Sequence, residues 1–352
     1  MRYLLSSHSM LMSVDVARDF TVGGFEILSK GYHFGIALGG RDGSARRTVV
    51  AYRGGETVDN QATPELLFFE ERSGGFQNGD RKELSGLGDV HQLVCCWGGI
   101  LIADTQHDRI LFRSPDCSYE WVMGAGYSDR HHINSVFPTG NRVLALLHNR
   151  RRRESQIVVL RFDPLEGFML EAELSLWDIL CHNLWVDPEA GVLLYNASLV
   201  NKLVVVDLHR DRMERRVDLS RAALVLPSRK GHAKGLSVSE DYLAIGLSEA
   251  TSRDQRAGSC SCMVLLDRRS LEIAGIVRLD DLPIPVGNIN EVRRLDRTEL
   301  ALGLSVDPGV PWQEVRLGKG DLLFHAFRRL QGHVALPAIR LKRKLKRLLA
   351  RI

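Results

Sequence analysis

The chain has 352 residues, 44% hydrophobic and 26% charged, a composition that supports a globular protein with a sizeable core. Its formal charge of +4 sits in the tail: residues 338–352 carry seven basic groups and no acid, and subtracting those seven leaves residues 1–337 at −3. A mildly acidic body speaks against nucleic-acid binding there. No window approaches the ~18 apolar residues of a membrane span, and the N-terminal stretch lacks the apolar core of a secretory signal, so a cytoplasmic protein is expected.

In chain order, a short strand is predicted at residues 2–6 and a first blade over 23–85. There GGFEILSKGYHFGIAL (23–38) aligns with GHAKGLSVSEDYLAIGL (231–247), which puts His33 at the start of a second strand and RTVVAYR (47–53) in a third. A rival register starts that blade at His33 itself, because His33-Phe-Gly-Ile-Ala37 also has an apolar fourth follower. The first alignment is preferred here.

Five later segments begin alike, with His or Asn followed four positions on by an apolar residue or Cys. They are His91-Gln-Leu-Val-Cys95, His132-Ile-Asn-Ser-Val136, His182-Asn-Leu-Trp-Val186, His232-Ala-Lys-Gly-Leu236 and Asn288-Ile-Asn-Glu-Val292. Their spacings of 41, 50, 50 and 56 residues suit a four-stranded propeller blade. Each start is followed by a turn and a second apolar run, namely GILIAD (99–104), RVLALL (142–147), GVLLYN (191–196), YLAIGL (242–247) and ELALGL (299–304). Most repeats add a third run, such as QIVVLRF (156–162) or KLVVVDL (202–208). Short aliphatic runs at regular spacing, parted by polar turns, argue for strands and against helices. The fold expected is all-β: a propeller of about six four-stranded blades over residues 1–330, closed by the N-terminal strand joining the last blade so that no sheet edge is left open.

Residues 331–352 are expected to form a C-terminal basic amphipathic helix. Leu341, Leu345, Leu348, Leu349 and Ile352 fall on one helical face and Lys and Arg on the other. Such a helix suits an anionic membrane surface at the inner face of the membrane, or a protein partner's groove. The six cysteines show no structural-zinc spacing and read as free thiols.

Asp89-Val-His91, Ile102-Ala-Asp104-Thr105 and Asp129-Arg-His-His132-Ile-Asn134 carry a resemblance to the NHL-repeat and gluconolactonase-like six-bladed propellers, and more specifically to a group of uncharacterised bacterial propellers. It spans roughly residues 20–310 and implies the fold. The carboxylate and asparagine metal ligands of gluconolactonases find no counterparts, because histidines stand at the ring positions.

In a propeller the start of each blade's first strand and the end of its second share a face. His91, His132, His182 and His232 are therefore expected to converge as ligands of a divalent transition metal (Fe, Mn, Ni or Zn), for which neutral imidazole is the commonest protein donor. His107, His131 and His148 are the candidate proton carriers. Candidate substrate contacts are Asn134, Asn183, Asn196, Asn288, Asn290 and Glu249, with Arg41, Arg150, Arg151 and Arg253 as an anion-binding collar. Together they point to a metal-dependent lyase, hydrolase or oxygenase acting on an anionic small molecule or acidic sugar. The contrasting expectation is a non-enzymatic scaffold that binds a protein partner or membrane surface. No nucleophile elbow, phosphate-binding loop or metalloprotease helix is present in the sequence.

Overall fold

The computed structural model describes residues 1–42, 45–54, 63–72, 75–123, 129–151, 153–176, 178–187, 190–208 and 214–296. The run at 299–304, the domain boundary at 330 and the basic helix expected at 331–352 lie outside these residues. Among the described residues no helix is long and apolar enough to cross a membrane.

Among the described residues the aliphatic runs form twenty-four strands in six antiparallel sheets of four, the arrangement of a six-bladed β-propeller. β1 (Arg2–Ser7), β2 (Met10–Val16) and β3 (Val22–Lys30) belong to the blade that closes the ring. The first complete blade is β4 (His33–Asp42), β5 (Ala45–Tyr52), β6 (Glu65–Arg72) and β7 (Gly75–Glu83). The second is β8 (Val90–Cys96), β9 (Gly99–Asp104), β10 (Arg109–Arg113) and β11 (Ser118–Val122). The third is β12 (Ile133–Thr139), β13 (Arg142–Leu147), β14 (Gln156–Asp163) and β15 (Gly167–Ser175). The fourth is β16 (Cys181–Asp187), β17 (Val192–Ala197), β18 (Lys202–Asp207) and β19 (Glu214–Asp218). The fifth is β20 (Gly231–Val238), β21 (Tyr242–Glu249), β22 (Ser261–Asp267) and β23 (Ile273–Arg278). Last, β24 (Ile289–Arg294) pairs antiparallel with β1, with Tyr3 opposite Arg294 and Leu5 opposite Val292, and so closes the ring as the sixth blade's innermost strand.

The core lies between blades. One cluster joins Val94, Leu101 and Phe112 of the second blade to Val136, Ala145 and Val158 of the third, and another joins Met12 and Val14 of the sixth to Met263 and Leu265 of the fifth. A middle strand is covered on both faces, which is why β13 reads as the unbroken run VLALL with every residue buried. Outer strands have one wet face, and β15 alternates polar and apolar residues accordingly.

The first blade corrects the preferred alignment. β4 begins at His33 and is the sheet's innermost strand, β5 carries RTVVAYR as the second strand and not the third, and residues 23–30 are the outermost strand of the sixth blade. The rival register was the right one.

A second correction concerns the repeat itself. Every innermost strand carries a register shift against its neighbour: the skipped residues are His91, Asn134, Asn183, Gly235, Asn290 in β24, and the pair Phe34–Gly35 in β4. A bulge adds one residue and re-aims its side chain. Counted from these bulges, His91 stands at the bulge, His182 just before it, and His132 and His232 further back. The four histidines are thus not equivalent positions of a repeat. Glycine is required where backbones meet: a Cβ on Gly35 would fall 2.5 Å from Gln92 Cα, and one on Gly235, at φ +76°, would fall 3.0 Å from Val292 N.

Candidate active site at one mouth of the channel

Although they differ in register, the ring histidines meet. His91 touches His132 (ring centroids 4.9 Å), His132 touches His148 (4.8 Å), His148 touches His182 (4.8 Å) and His182 touches His232 (5.2 Å). In the other direction His91 packs on Phe34 (4.8 Å), Phe34 on Tyr32 (4.5 Å) and Tyr32 on His8 (4.2 Å). An unbroken arc of ring contacts therefore passes through all six blades, from His8 after β1 to His232 on β20. His91 and His132 keep 14% and 13% side-chain exposure, so the arc borders an opening and is not a sealed core.

The outward nitrogens are tied. His132 Nδ1 lies 2.7 Å from Asp129 Oδ1, His182 Nδ1 lies 3.0 Å from the Leu180 carbonyl, and His8 Nδ1 lies 3.1 Å from the Asn288 carbonyl. At His8 and His182 a carbonyl must receive a proton, so Nδ1 carries the hydrogen and Nε2 keeps its lone pair, whereas His132 Nδ1 faces both the Asp129 carboxylate and the donor Arg150 Nε at 3.3 Å. On His8 that lone pair accepts the Tyr32 hydroxyl at 2.6 Å. Asp108 holds the His132 loop by accepting the backbone N–H groups of Arg130, His131 and His132 at 2.5, 3.0 and 2.7 Å. His132, Asn149, Arg150, Leu180 and Asn183 all have positive φ, and left-handed backbone at non-glycine residues clusters where a structure spends stability on function.

Burial is the main force that keeps the arc uncharged. It pushes His132 down to about 4, with Asp89 opposing and Lys234 assisting, and it holds His8, His91, His148 and His182 well below the usual imidazole range. The Lys234 charge lowers all five further. Lys234 itself is pushed down to about 7 by burial and by Arg256. The acid at hand is Asp89, and its Oδ1 is held by Arg53 at 2.6 Å.

Of the expected site residues, the structure brings together His91, His132, His148, His182 and His232. Among the described residues no group of three or more His, Cys, Asp or Glu side chains is arranged to hold a metal ion. His107 Nδ1 is held by Asp104 at 2.8 Å. His131 lines a cavity of about 420 Å³ with Arg130, Asn149 and Arg153. Arg150 pairs with Asp129, and the Arg253 charge acts on His8, His132 and Lys234. The side chains of Arg41 and Arg151 lie outside the described ones.

The expected amides make contacts with the frame, and Asn134, Asn196 and Asn290 each keep a buried Oδ1 without a hydrogen-bond partner. Asn134 Nδ2 donates to the Cys181 carbonyl at 3.0 Å, Asn290 Nδ2 to the His33 carbonyl at 2.7 Å, and Asn183 Oδ1 accepts from Gly235 N at 2.7 Å. Each reaches the innermost strand of the following blade. Asn196 Nδ2 donates to the Gly235 carbonyl at 3.2 Å, Asn288 Oδ1 takes the Ser259 hydroxyl, and Glu249 accepts from Ser228 N and Cys260 N at 2.9 and 3.1 Å. All six cysteines are free, as expected.

Sequence reasoning missed Lys234, Arg53, Tyr32, Phe34 and His8. His8 was findable: once residues 2–6 are placed as a second strand, His8 follows that strand as His148 follows β13.

The class of protein defined here is a six-bladed propeller with an imidazole-lined mouth. No protein-family model matches the chain, and no curated protein matches it in sequence. Solved structures match the fold. The nidogen/laminin complex includes a chain 11% identical, with a TM-score of 0.52 over 83% of this chain and 97% of that one. The periplasmic gluconolactonase of Pseudomonas aeruginosa is 13% identical, with a TM-score of 0.50 over 83% and 98%. A protein from Lactobacillus plantarum is 12% identical, with a TM-score of 0.50 over 84% and 99%. At these identities the likeness concerns architecture alone, and one architecture hosts many functions.

Proposed function

We propose that the protein is a hydrolase-like enzyme acting on an anionic small molecule, an acidic sugar or a similarly charged metabolite, at the mouth bordered by the imidazole arc. The observation that carries this reading is the Asp129–His132 pair at 2.7 Å. In this reading Nδ1 donates to Asp129, Arg150 stays paired with the same carboxylate, and Nε2 is left as a base with a set direction. In the proposed step water loses a proton to His132 Nε2 as its oxygen bonds to an acyl carbon. The imidazolium then returns that proton to the departing oxygen. Positive charge from Lys234, Arg253 and Arg256 favours the negative charge that develops on the acyl oxygen. A bound anion would offset part of the depression of His132 that Lys234 causes, and so bring its basicity closer to the working pH.

The test is a panel of lactones and esters of sugar acids, followed by His132→Asn on whichever compound turns over. Loss of general-base catalysis lowers kcat by about 100-fold or more with KM little changed. Equal turnover by the variant would overturn the assignment of His132. A stoichiometric transition metal in freshly purified protein would instead favour the ligand role expected from the sequence for His91, His132, His182 and His232.

A further inference from the structure

His148 follows β13 and stands between His132 and His182 in the arc, with ring centroids 4.8 Å from each. Its nitrogens are set the other way round from those of His8 and His182. The Arg150 backbone N–H donates to His148 Nδ1 at 3.3 Å. A backbone amide nitrogen can only donate, so Nδ1 holds the lone pair and the hydrogen of the neutral ring sits on Nε2. Asn149 and Arg150 are both left-handed, at φ 54° and 44°, and this turn aims the Arg150 N–H back at the ring. The turn is anchored twice, by Asn149 Nδ2 on the Glu154 carbonyl at 2.7 Å and by the Arg150 guanidinium on Asp129.

His148 keeps 9% exposure, and burial, with His132 beside it, favours the neutral ring. Its Nε2–H points away from Arg150 and meets no acceptor among the described residues. A largely covered donor without an acceptor is costly until one arrives. The ring does not suit a metal, because its one lone pair is spent on Arg150. We infer that His148 is a neutral hydrogen-bond donor of the mouth, and that its Nε2–H holds a carbonyl or carboxylate oxygen of the bound molecule beside His132. This inference rests on the reading of the mouth as a small-molecule site. In the proposed hydrolysis that atom is the acyl oxygen. As His132 takes the proton of water, the carbonyl π electrons move onto this oxygen, and the bond from Nε2–H strengthens to meet the charge. His148 transfers nothing and keeps its hydrogen on Nε2 throughout. Arg150 serves both rings, its backbone N–H setting His148 and its guanidinium pairing with the carboxylate at His132.

The test is long-range proton–nitrogen correlation NMR of the full chain, labelled at the histidine ring nitrogens, at pH 7, with His148 assigned through His148→Gln. The free protein is expected to show His148 protonated on Nε2 alone. Titration with glucuronate or inorganic phosphate is expected to shift that Nε2 to saturation. His148→Gln, whose amide N–H reaches to the place of Nε2, should bind the same probe within about threefold of wild type, and His148→Leu about tenfold or more weaker. A His148 protonated on Nδ1 or on both nitrogens would overturn the inference. So would an Nε2 moved by neither probe, or binding by a folded His148→Leu equal to that of wild type. The same spectra report His132 separately: protonation there on Nε2 would sink the general-base reading and leave His148 as the donor.

Discussion

Glu291 of the sixth blade accepts a hydrogen bond from the Gln92 side chain of the second blade at 3.0 Å. The same carboxylate lies 3.4 Å from Asn183 Nδ2 of the fourth blade and 3.4 Å from Leu236 N of the fifth. Bonds to three other blades put it at the propeller axis. Gln92 Oε1 continues the knot to Ser135 Oγ at 2.8 Å and Val136 N at 2.6 Å, and Arg293, 3.4 Å from Glu291, ties in the Ile36 and Leu236 carbonyls.

Removing this carboxylate leaves Arg293 buried without its charge partner and several donors unanswered. Glu291→Ala is expected to cost about 3 kcal/mol or more in urea unfolding. Glu291→Gln keeps the shape and one acceptor, so its loss should be smaller. Unfolding midpoints equal to wild type for both would mean that the knot adds nothing to the ring.

His33 is fully buried, donates from Nδ1 to the Gly31 carbonyl at 2.9 Å, and has no partner on Nε2. Burial pushes it down to about 4 in the folded protein, against an ordinary value near 6.5. Between those values the unfolded chain binds a proton that the native state does not. Stability is therefore complete above pH 6.5 and falls as pH drops toward 4, by at most about 1.4 kcal/mol per pH unit for this group. His33→Asn should flatten part of the fall in Tm between pH 7 and pH 5. An unchanged slope would exclude His33 as a contributor.

The number of blades and the closure at residues 2–6 were legible because aliphatic runs such as RVLALL report directly that a strand is covered on both faces. Registers were harder to read. The bulges at His91, Asn134 and Asn183 leave no local signal, so an alignment that counts from His or Asn cannot tell a bulged residue from one preceding it. His33 was misplaced for the same reason: GYHFGIAL fits both a second and an innermost strand until the pairing of β4 with β5 decides. Lys234 was hidden because what sets it apart is its burial, and burial is a property of three-dimensional neighbours.

Lys234 should be a stability liability. Its folded value of about 7 lies below the ordinary 10.5, so between those values the unfolded chain holds a proton that the native chain releases. Native stability rises with pH through that window and is lowest below it. Lys234→Met removes the cost and should raise Tm by at least about 3 °C at pH 7, with the gain shrinking toward pH 10. A lowered Tm at pH 7 would mean that the amine has a partner.

Ring closure rests on β1 pairing with β24, where Leu4 and Leu5 are fully buried. Removing residues 1–7 bares an edge strand along β24 and opens two inter-blade cores. The truncated chain is expected to aggregate or lose cooperative unfolding. A monomer with wild-type Tm would show that closure is dispensable.

The imidazole arc as the place where a small molecule binds is tested most directly by NMR of protein labelled at histidine Cε1, titrated with glucuronate and with phosphate at pH 7. Resonances assigned by single substitution to His8, His132, His148 and His182 are expected to move together and saturate, while that of His107 stays in place. Saturable shifts confined to His107 and other histidines outside the arc, with the arc resonances unmoved at saturating ligand, would contradict the site.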